Sequence, residues 1–363
     1  MAVTDDLETD QRVARHAEAL QEAGCEVTVI GRELPESRAT AFGFAAERMA
    51  LRHRRGWKFY AEYNRRVASC IAALRPDVVW ANDTDTLVGC WVASKRCGAR
   101  LVLDCHELFP EVPEIQGKPF VRWAWTTVER LLMPRCDARL TVCQSIADYY
   151  GRRYGVEMTV VRNVPSGKWR VESGKREAGS GKQRVLLYQG AVNVGRGVDW
   201  AIDALEWLPE CRLVVAGDGD LLEQMKSYAA GKAWAERVSF LGRVSPAELR
   251  AISAKADVGL VMLEDMGLSY HYALPNRIGD FVVAGVPMVV SDLPEMAAVV
   301  RGFDIGEVID GTGAKALAAA VERLLGRWGA MDAGQREARF GAAREDMDWE
   351  REKEKLVELI IDN

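Results

Sequence analysis

The stretch HYALPNRIGDFVVAGVPMVVSD, residues 271–292, contains a turn, a short helix, a Gly-Val-Pro break and a buried apolar strand. Pro275 suits the first position of a helix, because its φ is fixed near the helical value and its missing N–H would have no partner there. The free N–H groups that follow form an anion site at the positive end of the helix dipole. Arg277 adds a guanidinium suited to phosphate oxygens, and Asp280 can accept hydrogen bonds from vicinal hydroxyls. The alternative is a solvated Arg277 and an Asp280 that caps local backbone.

The same alternation of helices and strands extends along the whole chain. Apolar runs at 25–31, 77–83, 100–107, 139–145 and 158–163, and again at 185–191, 211–220, 237–242, 258–264 and 286–292, predict two series of strands. Two such series indicate two α/β domains with parallel sheets and a cleft between them. Ligands of such sheets bind beyond the carboxyl ends of the strands.

We place the domain boundaries by composition. They give an N-terminal domain over 1–165, a Gly-rich linker over 166–184, a second domain over 185–345 and a C-terminal helix over 346–363. Trp349 on that helix needs a surface to pack on. At the other end only Ala2-Val3-Thr4 could form a first strand, so either this strand is very short or an upstream segment is absent, and we favour the second interpretation.

The bulk composition narrows the class of protein. A chain of 363 residues is too long for one core of typical size. A net charge of −5 argues against a general nucleic-acid binder, and no apolar run approaches the ~20 residues that span a bilayer. We expect no signal peptide. The eight cysteines have no metal-ligand spacing, which favours reduced thiols in a cytoplasmic protein.

Two glycine-rich turns follow strands of the second domain. YQGAVNVGRG (188–197) lies between the first strand and first helix of that domain, the position that faces phosphates in such folds. Gly190 lets backbone approach a ligand closely, and Arg196 supplies positive charge. The run is not the dinucleotide fingerprint. AGDGD (216–220), which contains Gly217, is either a similar contact or a simple tight turn.

Polar residues also follow two strands of the first domain. His106 comes directly after one strand, with Glu107 next to it, and Asp83 and Asp85 follow the preceding strand. A lone histidine is usually structural, but beside acidic residues at a strand end His106 is a candidate for orienting a hydroxyl. Asp83, Asp85 and Glu107 would then form the rim of an acceptor site.

Taken together, these segments resemble the GT-B glycosyltransferases of family 4 over nearly the whole length. The strongest segments are 9–32, 81–87, 104–114, 161–166, 186–197, 214–220, 238–249 and 272–296. The resemblance implies two Rossmann-like domains facing across a cleft, with a C-terminal helix that crosses back to the first and gives Trp349 its surface. It further implies a nucleoside-diphosphate-sugar donor bound mainly by the second domain, transfer with retention at the anomeric carbon, and no metal or other cofactor.

The resemblance also assigns roles to single residues. His106, Arg196 and Arg277 match the catalytic histidine and the basic residues at the donor diphosphate, and Asp280 matches the acid that holds the ribose. The turn at 240–244 matches backbone that meets the base. The further donor contacts that it implies are Gly190, Gly217, Gly242, Arg243, Tyr272, Leu274, Pro275 and Asn276.

Some positions depart from the family pattern. Many members carry two glutamates eight residues apart, where this chain has Tyr272 and the shorter Asp280, and Ala191 replaces the first of two basic residues. A catalytically weak or inactive nucleotide-sugar-binding pseudoenzyme is therefore the alternative. A sugar-nucleotide epimerase is disfavoured because no acid/base carboxylate pair stands out. A Rossmann oxidoreductase is disfavoured because the dinucleotide fingerprint is missing.

The acceptor is suggested by two segments rich in basic and aromatic residues, 47–66 and 118–135. Such segments suit an anionic membrane surface. A lipid-linked acceptor at the inner face of the cell membrane, in cell-surface polysaccharide or glycolipid synthesis, would explain them. The alternative is a solvated face whose aromatic side chains lie in the core of the first domain.

Overall fold

A computed structural model describes residues 1–7, 10–35, 37, 42–166 and 183–361. The chain forms two compact units. The first consists of Met1–Asn163, Gly267–Ser269 and the residues from Arg351 onward, and the second of Val164–Met266 and Tyr270–Glu350. Most of the predicted linker, residues 167–182, lies outside the described residues. All eight cysteines are free thiols.

The elements follow the alternation that the sequence predicts. The strands are β1 (Thr28–Glu33), β2 (Ala45–Ala50), β3 (Val78–Asn82), β4 (Arg100–Cys105), β5 (Ala138–Thr141), β6 (Thr159–Val160), β7 (Arg184–Gln189), β8 (Cys211–Ala216), β9 (Val238–Gly242), β10 (Val258–Val261), β11 (Met288–Val290) and β12 (Gly306–Val308). The helices are α1 (Gln11–Glu22), α2 (Gly56–Leu74), α3 (Thr84–Cys97), α4 (Pro119–Leu132), α5 (Gln144–Tyr154), α6 (Val198–Ala204), α7 (Leu222–Ala230), α8 (Pro246–Ser253), α9 (Leu268–His271), α10 (Arg277–Ala284), α11 (Pro294–Phe303), α12 (Ala314–Ala330), α13 (Ala333–Asp346) and α14 (Trp349–Ile361).

The sheet of the first unit is parallel throughout. β1 pairs with β2, and β3, β4, β5 and β6 are hydrogen-bonded in that order. Ala2 joins the two parts, because it bridges Ile30 of β1 and Ala81 of β3. Its N–H donates to the Trp80 carbonyl at 2.8 Å. In the chain as given, a very short segment at Ala2 therefore occupies the place of a first strand between β1 and β3.

The sheet of the second unit has the order β12-β11-β10-β7-β8-β9 and is also parallel. Its central strands are buried on both faces, as in β7, where all residues from Val185 to Gln189 are buried. This explains why they read as continuous apolar runs rather than alternating ones. The order reverses between β7 and β10, which is the point where ligands bind in doubly wound sheets.

The helix predicted to open at Pro275 begins two residues later. α10 starts at Arg277, and Asn276 is its N-terminal capping residue without a side-chain cap hydrogen bond. The Pro275 carbonyl accepts from the Ile278 N–H at 3.0 Å, so Pro275 belongs to the turn before the helix. The predicted end is confirmed, since Gly285 adopts φ +65° and closes α10 after Ala284.

The end of the C-terminal helix belongs to the first unit, as the resemblance implies. Glu352 is fully buried and accepts from Arg162 twice, from its N–H at 3.0 Å and from its Nε at 2.8 Å. Trp349, at the start of this helix, is buried and belongs to the second unit, and its backbone N–H donates to the Pro165 carbonyl at 3.4 Å. The surface on which its indole packs stays a prediction.

Among the helices of the described residues, none combines the length and the apolar character required to cross a membrane.

Candidate functional site

Three neighbouring strand ends of the second unit are held together through glycines. The Gly190 N–H donates to the Ala216 carbonyl at 3.0 Å, and the Gly217 N–H donates to the Gly242 carbonyl at 2.9 Å. A Cβ at Gly217 would lie 1.8 Å from the carbonyl oxygen of Gly190. Only glycine fits there, so the turns after β7 and β8 are in direct backbone contact. Close backbone packing accounts for the glycine at position 217 of AGDGD with or without a ligand, and its contact with a donor stays a prediction.

Arg277 lies against the same turn. Its side chain is buried, its Nη1 donates to the Gln189 carbonyl at 3.0 Å, and its Cζ lies 5.0 Å from the centroid of the Tyr188 ring. A Cβ at Gly190 would lie 3.7 Å from the guanidinium carbon. The first residue of α10 therefore meets the end of β7, where the strand order reverses. The structure thus brings together two motifs that the sequence analysis identified separately, and Arg277 is not a solvated side chain.

Asp280 lies one turn further along α10 and is half-buried. Its Oδ2 accepts from the Gln189 Nε2 at 2.9 Å, and the Gln189 Oε1 accepts from the Ser253 hydroxyl at 3.1 Å. Gln189 therefore links β7 to α8 and α10, a role that the sequence analysis missed. The available signal was an amide at the end of an otherwise apolar buried strand. The contact of Asp280 with a ribose stays a prediction.

Arg196 lies in the glycine-rich turn between β7 and α6. Its Cζ is 4.9 Å from the centroid of the Tyr270 ring, and its Nε is buried without a hydrogen-bond partner among the described residues. The flanking Gly195 and Gly197 have φ of +73° and +63°. A Cβ on Gly195 would be 2.5 Å from the Met266 sulfur, so this turn too has no room for side chains. Arg196 is thus a cation held over an aromatic face.

The other residues predicted to contact the donor differ in how far they are exposed. Gly242 ends β9 with φ +66°, and the adjacent Arg243 is exposed. Tyr272 is half-buried, and its ring meets the His271 ring edge-on with centroids 4.9 Å apart. Leu274 and Pro275 are half-buried and Asn276 is exposed.

In the first unit, His106 follows β4 and is held by two carboxyl groups. Its Nδ1 is 3.3 Å from the Asp83 Oδ2, and its Nε2 is 3.4 Å from the Asp104 Oδ2. Burial lowers the pKa of His106, but Asp83 and Asp104 raise it, to about 9 in all. Burial also raises the pKa of Asp83, against the lowering effect of the imidazolium, whereas Asp104 beside Arg12 stays ionised. At neutral pH His106 is therefore a proton donor.

Asp104 connects His106 to helix α1. It is fully buried, and Arg12 donates to both of its oxygens, from Nε at 3.0 Å and from Nη2 at 2.7 Å. Burial raises the pKa of Asp104, yet the guanidinium of Arg12 outweighs this and holds it well below its usual range. His16 lies 3.2 Å from the same carboxylate, but burial lowers its pKa to about 4, so it is neutral. The sequence analysis missed Arg12 and His16, whose signal was a basic pair four residues apart on α1.

Of the three residues predicted to form the acceptor rim, Asp83 and Glu107 lie beside His106. The backbone N–H of His106 donates to the Asp83 Oδ1 at 2.7 Å, and Glu107 is half-buried beside it. Asp85 is buried and accepts from the Thr4 hydroxyl at 2.7 Å, and burial raises its pKa to about 7. Asp85 is therefore satisfied within the unit. Of the residues that the structure describes, no three His, Cys, Asp or Glu side chains are grouped as metal ligands.

Each of the two units matches a family model of glycosyl transferases. Residues 9–167 match the family model of the glycosyl transferase 4-like domain, and residues 183–327 match that of the glycosyl transferases group 1. Among curated proteins, the chain is similar to a phosphatidyl-myo-inositol mannosyltransferase of Mycobacterium leprae, with 31% identity over 155 residues. That match covers 39% of this chain and only 37% of the relative.

Solved structures share the fold at low identity. A sucrose-phosphate synthase from Thermosynechococcus elongatus superposes with a TM-score of 0.77 at 17% identity, covering 96% of this chain and 91% of that one. HepE from Anabaena, solved with UDP and glucose, gives a TM-score of 0.74 at 14% identity, covering 100% of this chain and 98% of that one. The two parallel-sheet units and these similarities confirm the fold class predicted from sequence. The chain belongs to the group 1 glycosyltransferases, a family of transferases with the GT-B fold.

Proposed function

We propose that the protein transfers a sugar from a nucleoside-diphosphate sugar to an acceptor, with retention at the anomeric carbon and without a metal. The observation that carries the proposal is the buried guanidinium of Arg277 against the Gly190 turn. Such a group suits the paired oxygens of a diphosphate. HepE, which has this fold, was solved with UDP-glucose, and this supports a nucleotide sugar as the donor.

The difficult part of this reaction is the charge that develops on the departing diphosphate. Arg277, Arg196 and the free N–H groups at the start of α10 would stabilise that charge. Arg277 is already fixed by the Gln189 carbonyl and the Tyr188 ring, so little reorganisation is needed as the bond breaks. By analogy with single oxyanion-hole donors, each such group contributes about 10²–10³ in rate. Two permanently charged guanidinium groups would therefore stabilise the charge of the departing diphosphate in place of a divalent cation.

Retention follows if the acceptor attacks from the face that the diphosphate leaves. The acceptor hydroxyl then loses its proton to the leaving phosphate, so no side-chain base is required. The state of His106 supports this scheme, because an imidazolium with a pKa of about 9 cannot accept a proton at neutral pH. His106 would instead donate a hydrogen bond to the transferred sugar or the acceptor.

For the acceptor we propose a lipid-linked molecule of cell-surface polysaccharide or glycolipid synthesis, handled at the cytoplasmic side of the membrane. The name of the similar mannosyltransferase, which refers to a phosphatidyl-inositol, supports a lipid acceptor.

The test starts with nucleotide binding. Thermal unfolding is measured with UDP, GDP, ADP, TDP and CMP for the wild type, Arg277→Ala and Arg344→Ala. Arg344 is a matched control, because its Nε donates to the Val282 carbonyl at 3.1 Å, at the other end of α10. We expect one nucleoside diphosphate to raise the melting temperature of the wild type and of Arg344→Ala but not of Arg277→Ala. A cooperatively folded wild type that responds to none of them would refute the donor site.

The nucleotide that binds then fixes the donor for an activity assay. Slow release of free sugar from the corresponding nucleotide sugars, in the presence of EDTA, would support a metal-independent transferase. The anomeric configuration of the transferred sugar, read by NMR, tests retention. Binding without any sugar release would instead support the nucleotide-sugar-binding pseudoenzyme.

A further inference from the structure

Two segments of the first unit expose large aromatic side chains. All residues of 52–58 and 116–123 are exposed. Trp57, Phe120 and Trp123 are 76%, 76% and 61% exposed, the highest values of any large apolar side chain in the described parts of the chain. We call these two segments the aromatic-basic surface. Their exposure is costly in water, which indicates an interaction site.

The two segments are neighbours. The Tyr60 ring of α2 meets the Trp125 ring of α4 edge-on, with centroids 4.8 Å apart. Trp57 and Tyr60 are three residues apart and lie on one face of α2, and Trp123 lies in the same N-terminal half of α4 as Trp125. Phe120 and Trp123 are in contact with each other, with ring centroids 5.7 Å apart. The N-terminal halves of α2 and α4 are therefore in contact, and each helix exposes large aromatic side chains there.

The charge of this surface is opposite to that of the whole protein. Segment 52–58 contains Arg52, Arg54, Arg55 and Lys58, and segment 116–123 contains Lys118 and Arg122. Neither segment contains Asp or Glu, although the chain carries a net charge of −5. Arg122 is paired with Glu111 of the adjacent turn at 2.5 Å, whereas the Lys58 ammonium lies 5.8 Å from the Trp57 ring centroid. Positive charge is thus concentrated around the exposed rings.

We infer that the aromatic-basic surface docks on an anionic lipid bilayer. Exposed Trp and Phe side chains surrounded by Arg and Lys suit the headgroup region, where the rings insert and the cations meet lipid phosphates. Of the two segments proposed from sequence for membrane contact, 47–66 and 118–135, the structure exposes mainly the parts within 52–58 and 116–123. Phe59 and Tyr63 of segment 47–66 are buried in the core, as the alternative interpretation of that segment predicted. Trp57 is the aromatic side chain of the segment that is largely exposed. The inference goes beyond the proposed reaction, because docking requires no nucleotide sugar.

Vesicle sedimentation tests the inference directly. The probes are phosphatidylcholine vesicles with and without phosphatidylglycerol, and the variant is Trp57→Ser/Phe120→Ser/Trp123→Ser. Trp207→Ser is the matched control, because Trp207 is 41% exposed in the second unit. We expect the wild type and the control to bind the phosphatidylglycerol vesicles, and the triple variant to bind at least about tenfold more weakly. Binding should weaken as salt is raised.

A second variant separates charge from ring insertion. Arg54→Glu/Arg55→Glu should lose binding to the phosphatidylglycerol vesicles, whereas Lys315→Glu, an exposed position of the second unit, should not. Failure of the wild type to bind the anionic vesicles, or equal binding by the triple variant, would overturn the inference. So would a wild-type dimer that the triple variant breaks, because the surface would then serve a second copy. Nucleoside-diphosphate binding by the same proteins reports the donor site separately, so either proposal can fail alone.

Discussion

Substitution of Gly217 by alanine tests whether the turns after β7 and β8 form the donor site. The added Cβ would lie 1.8 Å from the Gly190 carbonyl oxygen, whereas ordinary contacts of a Cβ are 3.4–4 Å. Both partners are backbone, so no flexible side chain can give way. The Gly190 turn must therefore move by more than about 1 Å, a distance set by that steric shortfall.

This displacement predicts a small loss of stability and a large loss of function. Overpacking of this kind costs about 1–3 kcal/mol of unfolding free energy, which a folded domain tolerates. A shift of about 1 Å in groups that position a reacting ligand costs about 100-fold. We therefore expect nucleoside-diphosphate affinity and sugar transfer to fall by about that factor, while the variant still unfolds cooperatively.

Urea unfolding and calorimetric titration with the nucleoside diphosphate measure the two effects. Gly326→Ala is the matched control, because Gly326 is exposed within α12 and a Cβ there meets nothing within 4 Å. It should gain about 0.8–1 kcal/mol from helix propensity and bind like the wild type. If Gly217→Ala bound the nucleotide as tightly as the wild type, the turns would not contact the ligand and the assignment of the site would be wrong.

Two further predictions concern the charges of the first unit. The folded pKa of His106, about 9, lies above the ordinary 6.5, so its protonation stabilises the fold fully below pH 6.5 and this contribution is lost as the pH rises to 9. An NMR titration of the imidazole should have its midpoint near 9, and a midpoint at or below 6.5 would contradict the described contacts. Arg12→Met should lower the unfolding free energy by about 3–5 kcal/mol, because it leaves the Asp104 carboxylate buried without its main partner. Urea unfolding measures this, with Arg15→Met on the same helix as the control, and equal stability of the two variants would refute it.

The sequence predicted the strands that are buried on both faces. β7 and β8 were recognised because strands buried on both faces are apolar throughout. β2, by contrast, is mostly exposed at the edge of its sheet and reads AAERMA, which has no strand pattern. β12 is too short, with three residues, to give a periodic signal. The start of α10 was misplaced by two residues, because a proline near a helix N-terminus suits the preceding turn as well as the first helical position.

At the site, the residues that the sequence predicted are those whose positions follow from the topology of a doubly wound sheet. Gly190 follows a strand and Arg277 is the first residue of a helix, and a doubly wound sheet brings these two positions to one edge. The pair of Arg12 and Asp104 was not predictable, because 92 residues separate the two and only tertiary packing joins them. Gln189 was missed for a similar reason, since its partners come from two different helices.

The attachment of α14 to the first unit bears on how such a protein could be divided or recombined. Because Glu352 accepts from Arg162, and Leu356 and Ile360 are buried, the first unit requires residues from both ends of the chain. A gene fragment that stopped at residue 163 would lack these side chains and leave the Arg162 N–H without its acceptor. Exchange of the donor-binding unit between relatives, in the laboratory or in evolution, therefore calls for an internal replacement that keeps the native C-terminal helix with its original N-terminal half.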